Sequence, residues 1–591
     1  RPGVPAWPEV LQTIAEHWSD PARQKQLLAS GQKVAATLQE HLAWQSGDEK
    51  PGRKLAELTL QRLRASYDAA NGGFSRAPKF PSPSLLQFLL ACSRGEGEED
   101  PQTASPAARQ MATHTLDAMA RGGIHDQLGG GFHRYATDPN WQVPHFEKML
   151  YDNAQLLGVY LAAYRLTDNG RYARVARGIA DYVLRDLTHP AGGFFAAEDA
   201  DSLPPEPAGQ AVPKEGAFFT WRMAEVETLL GEDSRVFSYR YGLRPEGNAL
   251  YDPHHEFDGL NILHEAHTVA ETAAHFDLPR EQVADVLKGA TQKLLAAREQ
   301  RPRPHRDEKV LTSWNALMIS GLARAYPVLD EKRYRDAARR GADFILDHLY
   351  DPAHQTLHRS WCDGEGRLPG TADDYVFLVQ AFLDLYEADF ELHWLQKALQ
   401  FNASAVQRFY DADTGGFYLT GRDDDQHLIL RVKEDTDSVI PSASSVAALN
   451  LQRLAYLTGR EDLQRMADRT IAAGLSRMKA HPEAVTGMLL AHRFQQAPGA
   501  QIAVVGPWEH PETRAMLRVA RPARGDGRVL AWIADETQQQ QASREIPFLK
   551  RARPLEGTPA AYACIRRSCR EPLTTAAALA EVLAAEGGHL G

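Results

Sequence analysis

The densest grouping of side chains able to move protons lies between Gly122 and Asn153. It reads Gly122-Gly123-Ile124-His125-Asp126, then Gly129-Gly130-Gly131-Phe132-His133-Arg134-Tyr135, Trp141, and His145-Phe146-Glu147-Lys148 leading into Tyr151-Asp152-Asn153. Five glycines, three histidines and four acids fall within these 32 positions. Glycine lets backbone come close to a ligand, histidines and carboxylates exchange protons near neutral pH, and aromatic rings offer flat apolar faces. The mixture suits a polyhydroxylated, sugar-like ligand. Asp126, His145 and Glu147 are the candidate proton-transfer groups; His125, His133, Trp141 and Lys148 are candidate contacts. The alternative is that the glycines only form a hairpin and the histidines cap neighbouring helices.

Further acids stand elsewhere. Glu198-Asp199-Ala200-Asp201 clusters three carboxylates that later meet Lys214-Glu215 and Trp221. Neighbouring carboxylates raise one another's pKa, and an acid held protonated beside an ionised partner is what glycoside hydrolysis requires. Asp199 and Asp201 therefore join the catalytic candidates, with a helix cap and a solvated turn as the alternative. Asp373-Asp374-Tyr375 opens a helix, so one Asp is expected as its cap and the other facing a funnel. Asp374 is the catalytic candidate, Asp373 and Tyr375 the binding ones. Trp221, Trp314 and Asn315 could stack a ring or bond hydroxyls. The mixed charges of Arg431 to Ser438 fit a helix entrance or a surface ion-pair network.

These residues sit at recurring Gly-Gly-aromatic turns: Gly72-Gly73-Phe74, Gly130-Gly131-Phe132, Gly192-Gly193-Phe194 and Gly415-Gly416-Phe417. A degenerate copy occupies 351–358, and the period is about 60 residues, the length of a helical hairpin. Asn153–Thr167, Ser313–Leu329 and Tyr375–Asp389 are apolar around most of their circumference, which predicts inner helices, whereas Tyr334–Leu349 carries Arg and Asp on one face. Six or seven such units predict a mainly α fold, an (α/α)6 barrel whose corners converge on one funnel. Residues 496–591 read as a small α/β appendage, with strands at Gln501–Gly506 and Arg528–Ala534 and helices at Pro511–Ala520 and Ala577–Ala585. Gln538–Glu545 reads as an exposed loop. Residues 1–52 hold one or two helices and a linker at Gly47–Gly52, leaving 53–495 for the barrel.

Composition narrows the partners. Lys and Arg number 66 against 77 Asp and Glu, a net charge of −11, so the broad basic face that nucleic acid needs is missing. No apolar run suits a membrane span, and four cysteines suit a reducing, cytoplasmic setting, with Cys564 and Cys569 expected as packed thiols. Neither zinc, P-loop nor dinucleotide signatures occur, so no metal and no cofactor is expected. Oligomeric state is not legible.

The blocks Ala77-Pro78-Lys79-Phe80-Pro81, Gly123-Ile124-His125-Asp126, His145-Phe146-Glu147-Lys148-Met149-Leu150-Tyr151-Asp152-Asn153, Lys309-Val310-Leu311-Thr312-Ser313-Trp314-Asn315 and Asp373-Asp374-Tyr375 resemble one family. It is the YyaL/spermatogenesis-associated protein 20 family of thioredoxin domain-containing proteins, and the resemblance spans the whole chain. It implies a thioredoxin-like domain upstream, of which only the final helices near Pro8–Glu40 are present, and a barrel similar to N-acylglucosamine 2-epimerases and six-hairpin glycosidases. The chain departs from the pattern at Ser444, where relatives usually carry Asn. The His125-Asp126 pair and the Glu147 block also resemble the acidic sites of unsaturated glucuronyl hydrolases.

Two functions follow as expectations. One is a carbohydrate-active enzyme on a small sugar. Epimerisation would draw two bases from His125, His133 and His145; hydrolysis would need two carboxyls about 5 to 9.5 Å apart. The other is a scaffold that binds glycan or protein beside a redox domain, with its acids tied up in structural ion pairs.

Overall fold

The computed structural model describes residues 5–42, 44, 52, 54–93, 106–205, 212–249, 252, 255–422, 428–497, 499–553, 555, 557–566 and 568–587. The linker expected at Gly47–Gly52 lies, Gly52 apart, outside the described residues. Helices α1 (Trp7–Ser19) and α2 (Pro21–Leu42) pack on each other and leave Trp7, Leu11, Ile14 and Trp18 exposed. Then come α3 (Lys54–Ser66), α4 (Pro83–Cys92), α5 (Pro106–Arg121), α6 (Leu150–Thr167) and α7 (Gly170–Asp186). Four helices follow: α8 (Met223–Leu230), α9 (Ser234–Tyr241), α10 (Val269–Phe276) and α11 (Arg280–Arg298). They pack around a small core of their own that includes Trp221, Phe237 and Leu294. The chain resumes with α12 (Thr312–Leu329), α13 (Lys332–His348), α14 (Ala372–Asp389), α15 (Leu392–Phe409), α16 (Ala443–Thr458), α17 (Glu461–Ala473), α18 (Leu475–Ala480) and α19 (Thr486–Gln496).

Helices α4, α6, α12, α14, α16 and α19 each touch the next, and α19 touches α4, so six helices close a ring. The alternation is six units, with α8 to α11 accounting for the length that a seventh would have needed. Around the ring lie α3, α5, α7, α13, α15 and α17. The sorting follows polarity. Nearly every residue of α6, α12 and α14 is buried, while α13 buries only Tyr334, Ala337, Ala338, Gly341, Ala342, Phe344 and Ile345 on one side.

Three of the four Gly-Gly turns are built the same way. In each an aspartate closes the turn and a buried lysine clasps it. Lys79 donates to Asp68 at 2.6 Å and to the Gly72 carbonyl at 2.7 Å. Lys148 donates to Asp126 at 2.7 Å and to the Gly130 carbonyl at 2.9 Å. Lys433 donates to Asp411 at 2.6 Å and to the Gly415 carbonyl at 2.7 Å. The glycines are obligatory: Gly131 sits at φ +78°, and a Cβ there would lie 2.5 Å from the Tyr182 ring.

The inner helix then grips the turn from its other side. Asn153 accepts from Phe132 N–H at 2.8 Å and returns its amide to the Phe132 carbonyl at 3.0 Å. Asn315 does the same to Phe194 at 2.7 and 2.9 Å. At the turn ending in Phe417 the gripping group is the Ser444 hydroxyl, which accepts from Phe417 N–H at 2.9 Å. The serine thus keeps the accepting half of the grip and returns a longer bond, 3.4 Å, to the Phe417 carbonyl.

After α19 the strands Ala500–Val505 and Arg528–Ile533 run parallel, and Ala560–Ile565 adds antiparallel to the first. They are joined by α20 (Pro511–Ala520), α21 (Glu536–Ala542) and α22 (Ala576–Gly587). Two expectations are corrected here. The Gln-rich stretch is mostly helix, because the Asp535 carboxylate caps α21 by accepting from Gln538 N–H at 2.9 Å. Cys564 and Cys569 are not packed thiols: they face each other across a hairpin and form a disulfide.

Removing one partner from a buried ion pair leaves the other charge uncompensated, at a cost of about 3–5 kcal/mol. Asp126→Asn is therefore expected to lower stability in urea unfolding by about that amount. Asp68→Asn should cost less, since the Asp68 side chain is 26% exposed and water already screens its side of the pair. Equal losses would contradict the clasp as the cause.

Candidate active site

The turns set the start of the inner helices, and the side chains around those N-terminal ends form a mouth. On the α6 side His145 is held between two carboxylates, Nδ1 at 2.7 Å from Glu215 and Nε2 at 3.2 Å from Glu147. Arg134 donates to the same Glu147 oxygen at 2.8 Å. The His145 ring stacks on Tyr135 with centroids 5.0 Å apart. The hydrogen bond to Glu215 raises the pKa of His145 above its ordinary value, against the opposing effect of burial. Burial would push Glu215 up, but His145 and the Phe146 N–H bring it below the usual range.

Directly behind lies Asp152, in the first turn of α6. Its carboxyl is buried, and its Oδ2 has no hydrogen-bond partner among the described residues. Burial raises its pKa well above the ordinary value; Arg134 opposes this and Glu147 adds to it. Its neighbour Tyr151 meets the Trp314 ring edge-on at 4.7 Å, which joins the α6 side of the mouth to α12.

On the α14 side the two aspartates part company. Asp374 is fixed by backbone, accepting from Ser313 N–H at 2.9 Å and from Thr371 N–H at 2.8 Å. Asp373 is buried with Oδ1 unpartnered. Burial, then the neighbouring Glu434 and Asp374 carboxylates, push Asp373 up to about 8. Burial raises Glu434 as well, with Arg359 opposing. Asp373 is thus held protonated at neutral pH, while Asp374 ties α12 to the start of α14.

The remaining expected residues fall into two places. Asp199 and Asp201 are exposed on the rim, and Asp201 pairs across two short strands with Glu215. Asp126 lies in the scaffold, its two oxygens each 2.8 Å from Arg298 and one also bound by Lys148. Burial would raise it, yet Arg298 and Lys148 hold it well below the carboxylate range. Both ring nitrogens of His125 are shut off from solvent, and burial lowers its pKa to about 4. His133 is packed between Phe146 and Phe219 and donates to the Phe146 carbonyl at 3.0 Å, so it too stays neutral.

Trp141 is buried with its N–H on the Asn71 carbonyl, and Trp221 is buried under Arg301. Asn315 grips its turn, and the Tyr375 hydroxyl accepts from Leu357 N–H at 2.8 Å. Of the sequence candidates, the mouth therefore gathers His145, Glu147, Trp314, Asp373 and Asp374, with Asp199 and Asp201 at its edge. Arg134, Tyr151, Asp152, Glu215, Arg359 and Glu434 join them without having been singled out as site residues. The only sequence signal for Asp152 was its place in the first turn of an apolar helix; for Glu215 and Glu434 there was none beyond charge. Among the described residues no group of three or more His, Cys, Asp or Glu is arranged to hold a metal ion.

A cavity of about 60 Å³ lies inside the ring, lined by residues of all six inner helices, among them Gln87, Gln155, Leu317, Gln380, Ser445 and Leu490. Among the described residues no helix is long and apolar enough to cross a membrane.

Two titrations check the electrostatics. The His145 ring should titrate by NMR above about 6.5, the unperturbed value, and Glu215→Gln should bring it back down. A raised histidine pKa contributes stability that is complete below about pH 6.5 and fades as pH rises through the folded value. Asp373 behaves in the opposite sense to an ion-paired acid. Between about pH 4 and its folded value near 8 the native state holds a proton that the unfolded chain has lost, so stability falls with rising pH. Asp373→Asn should flatten that slope and unfold later than wild type at pH 9; parallel curves for the two proteins would rule the shift out.

No family model matches the chain. It is 38% identical over 597 aligned residues to spermatogenesis-associated protein 20 of Homo sapiens, covering 97% of this chain and 75% of that one. The Mus musculus protein of the same name is 36% identical, with 97% and 74% covered. Among solved structures, cellobiose 2-epimerase of Bacillus thermoamylovorans is similar at a TM-score of 0.44 and 9% identity, over 71% of this chain and 84% of that one. The sequence relatives are close and nearly full-length for this chain, and on that ground it belongs to the spermatogenesis-associated protein 20 family.

Proposed function

We propose that the mouth and cavity form the active site of a carbohydrate-active enzyme, of the N-acylglucosamine 2-epimerase-like or six-hairpin glycosidase type, that works on a small sugar or sugar derivative by acid/base chemistry. The observation that carries this reading is the coexistence of opposite protonation states in one mouth. His145 stands between the carboxylates of Glu147 and Glu215, while Asp152 and Asp373 are held neutral by burial. Such a set can accept a proton at one point and deliver one at another without a change of pH. Tyr135, Tyr151 and Trp314 supply flat apolar faces beside it, which suits the C–H face of a pyranose.

His145 is the proton shuttle in this reading, Glu147 and Glu215 orient and charge it, and Asp373 is the acid. With His125 and His133 neutral and enclosed, epimerisation would have to pair His145 with a carboxylate; hydrolysis would pair Asp373 or Asp152 with an ionised acid. A non-catalytic scaffold is the second reading, and the fixed Asp126–Lys148–Arg298 group favours it in part. The unpaired Asp152 and Asp373 favour the enzyme. Burying carboxyls without partners costs stability and is a common mark of a working site.

The test is a screen of the purified chain on reducing sugars in D₂O and on aryl glycosides. Deuterium entering at the carbon beside the carbonyl reports epimerisation, and release of the phenol reports hydrolysis. Either activity should fall by about 10²- to 10⁴-fold in Glu147→Gln and in His145→Gln. Turnover unchanged in both variants would remove the site assignment; sugar binding by calorimetry with no turnover would establish the scaffold instead.

A further inference from the structure

The inner helices end, opposite the mouth, on an unusual concentration of arginine. Arg453 of α16 pairs with Asp384 and Glu387 of α14, Arg324 of α12 stands near both without bonding to either, and the segment after α20 brings Arg521 and Arg524 to the same place. Four guanidinium groups thus surround two carboxylates. Arg453 takes both, at 2.8 Å from Asp384 and 3.0 Å from Glu387. Arg521 is taken up by the Glu387 main-chain carbonyl in the last turn of α14. The nearby Asp389 is already paired with Arg339 at 2.6 Å.

Arg324 and Arg524 are left. Arg524 reaches only to 3.9 Å from Asp384 and to 3.5 Å from the Ser320 hydroxyl, which is itself a donor to Asp384. Arg324 forms no hydrogen bond and no ion pair among the described residues. It lies more than a turn before the end of α12, beyond the reach of that helix's terminal carbonyls. Both arginines line the floor of the central cavity together with Ser320 and Gln380, and Arg324 also lines a second cavity against Pro522 and Ala523. Both are half-buried, and the four guanidinium groups outnumber the two carboxylates, so positive charge is left facing the cavity. Burial lowers the pKa of both, that of Arg524 to about 9, with Arg324 adding to the effect.

We propose that the floor of the cavity is an oxyanion site, in which the Arg324 and Arg524 guanidinium groups, assisted by the Gln380 amide, hold a phosphate or carboxylate. A planar guanidinium offers paired N–H donors to such a group, and the enclosed setting strengthens each contact. The site does not depend on the sugar reading, because it stands at the opposite ends of the inner helices from the mouth. The oxyanion can arrive free or attached to a sugar, and the two sources are separable.

The experiment titrates the whole chain with inorganic phosphate at constant ionic strength, following thermal unfolding and calorimetric heat. Wild type should show a saturable rise in Tm. Arg324→Gln and Arg524→Gln should each weaken phosphate binding at least tenfold. Without phosphate, Arg324→Gln should unfold no earlier than wild type, since it loses no hydrogen bond or close ion pair. Glucose 6-phosphate binding more tightly than both phosphate and glucose would assign the site to an anionic sugar; equal binding of the two phosphates would assign it to a free anion. The proposal is overturned if wild type shows no saturable response, or if Arg324→Gln binds phosphate as wild type does. It is equally overturned if Arg324→Gln is destabilised without phosphate while phosphate leaves wild type unchanged, the behaviour of a purely structural arginine. The wild-type titration alone decides the matter should the variants not fold.

Discussion

A lysine ammonium sealed beneath a Gly-Gly turn is the interaction on which the rest of the molecule depends. Lys79, Lys148 and Lys433 are each nearly inaccessible, and each neutralises an aspartate while satisfying a turn carbonyl that no strand or helix could reach. An ammonium has three donors, and the turn uses at least two of them. The result is a corner with no slack, and the inner helix that follows starts from a fixed point. Six helices closing a ring need such fixed starts, because a register error at one corner would be carried to the next.

The same burial that makes the corners strong keeps an acid of the mouth protonated. Asp126 and Asp373 are both shut away from water, yet one is held ionised and the other protonated. The difference is the company each keeps. Arg298 and Lys148 more than offset the desolvation of Asp126, whereas Asp373 faces Glu434 and Asp374, which add to it. The corner and the mouth are therefore one electrostatic design applied with and without cations.

Much of the frame was legible in the amino-acid order. Glycine pairs before an aromatic marked the corners because only glycine fits the left-handed backbone there, and the all-round apolar character of α6, α12 and α14 marked them as inner helices. Strand and helix alternation after residue 496 was readable from β-branched runs. The site was readable only in part. Whether an acid is tied or free depends on partners far along the chain: Arg298 reaches Asp126 across 172 positions, and Glu215 reaches His145 across 70. No local pattern encodes those meetings. His125 and His133 looked like bases from their neighbours in sequence, but packing against Phe132, Phe146 and Phe219 made them core. The helices α8 to α11 carry no Gly-Gly corner and so gave no periodic signal, though they supply Arg298. The grip of Asn153 and Asn315 on their turns was likewise invisible until the turns and helices were seen together, and it explains what Ser444 replaces.

The segment that carries Arg521 and Arg524 has one more effect. Arg165 donates to the Arg521 and Pro522 carbonyls, and Arg521 in turn reaches the end of α14, so the chain's own later residues lie across the far side of the ring. On the proposed sugar reading, a polymer would then be engaged by a terminus rather than threaded through, and a product would leave past the groups that received the substrate.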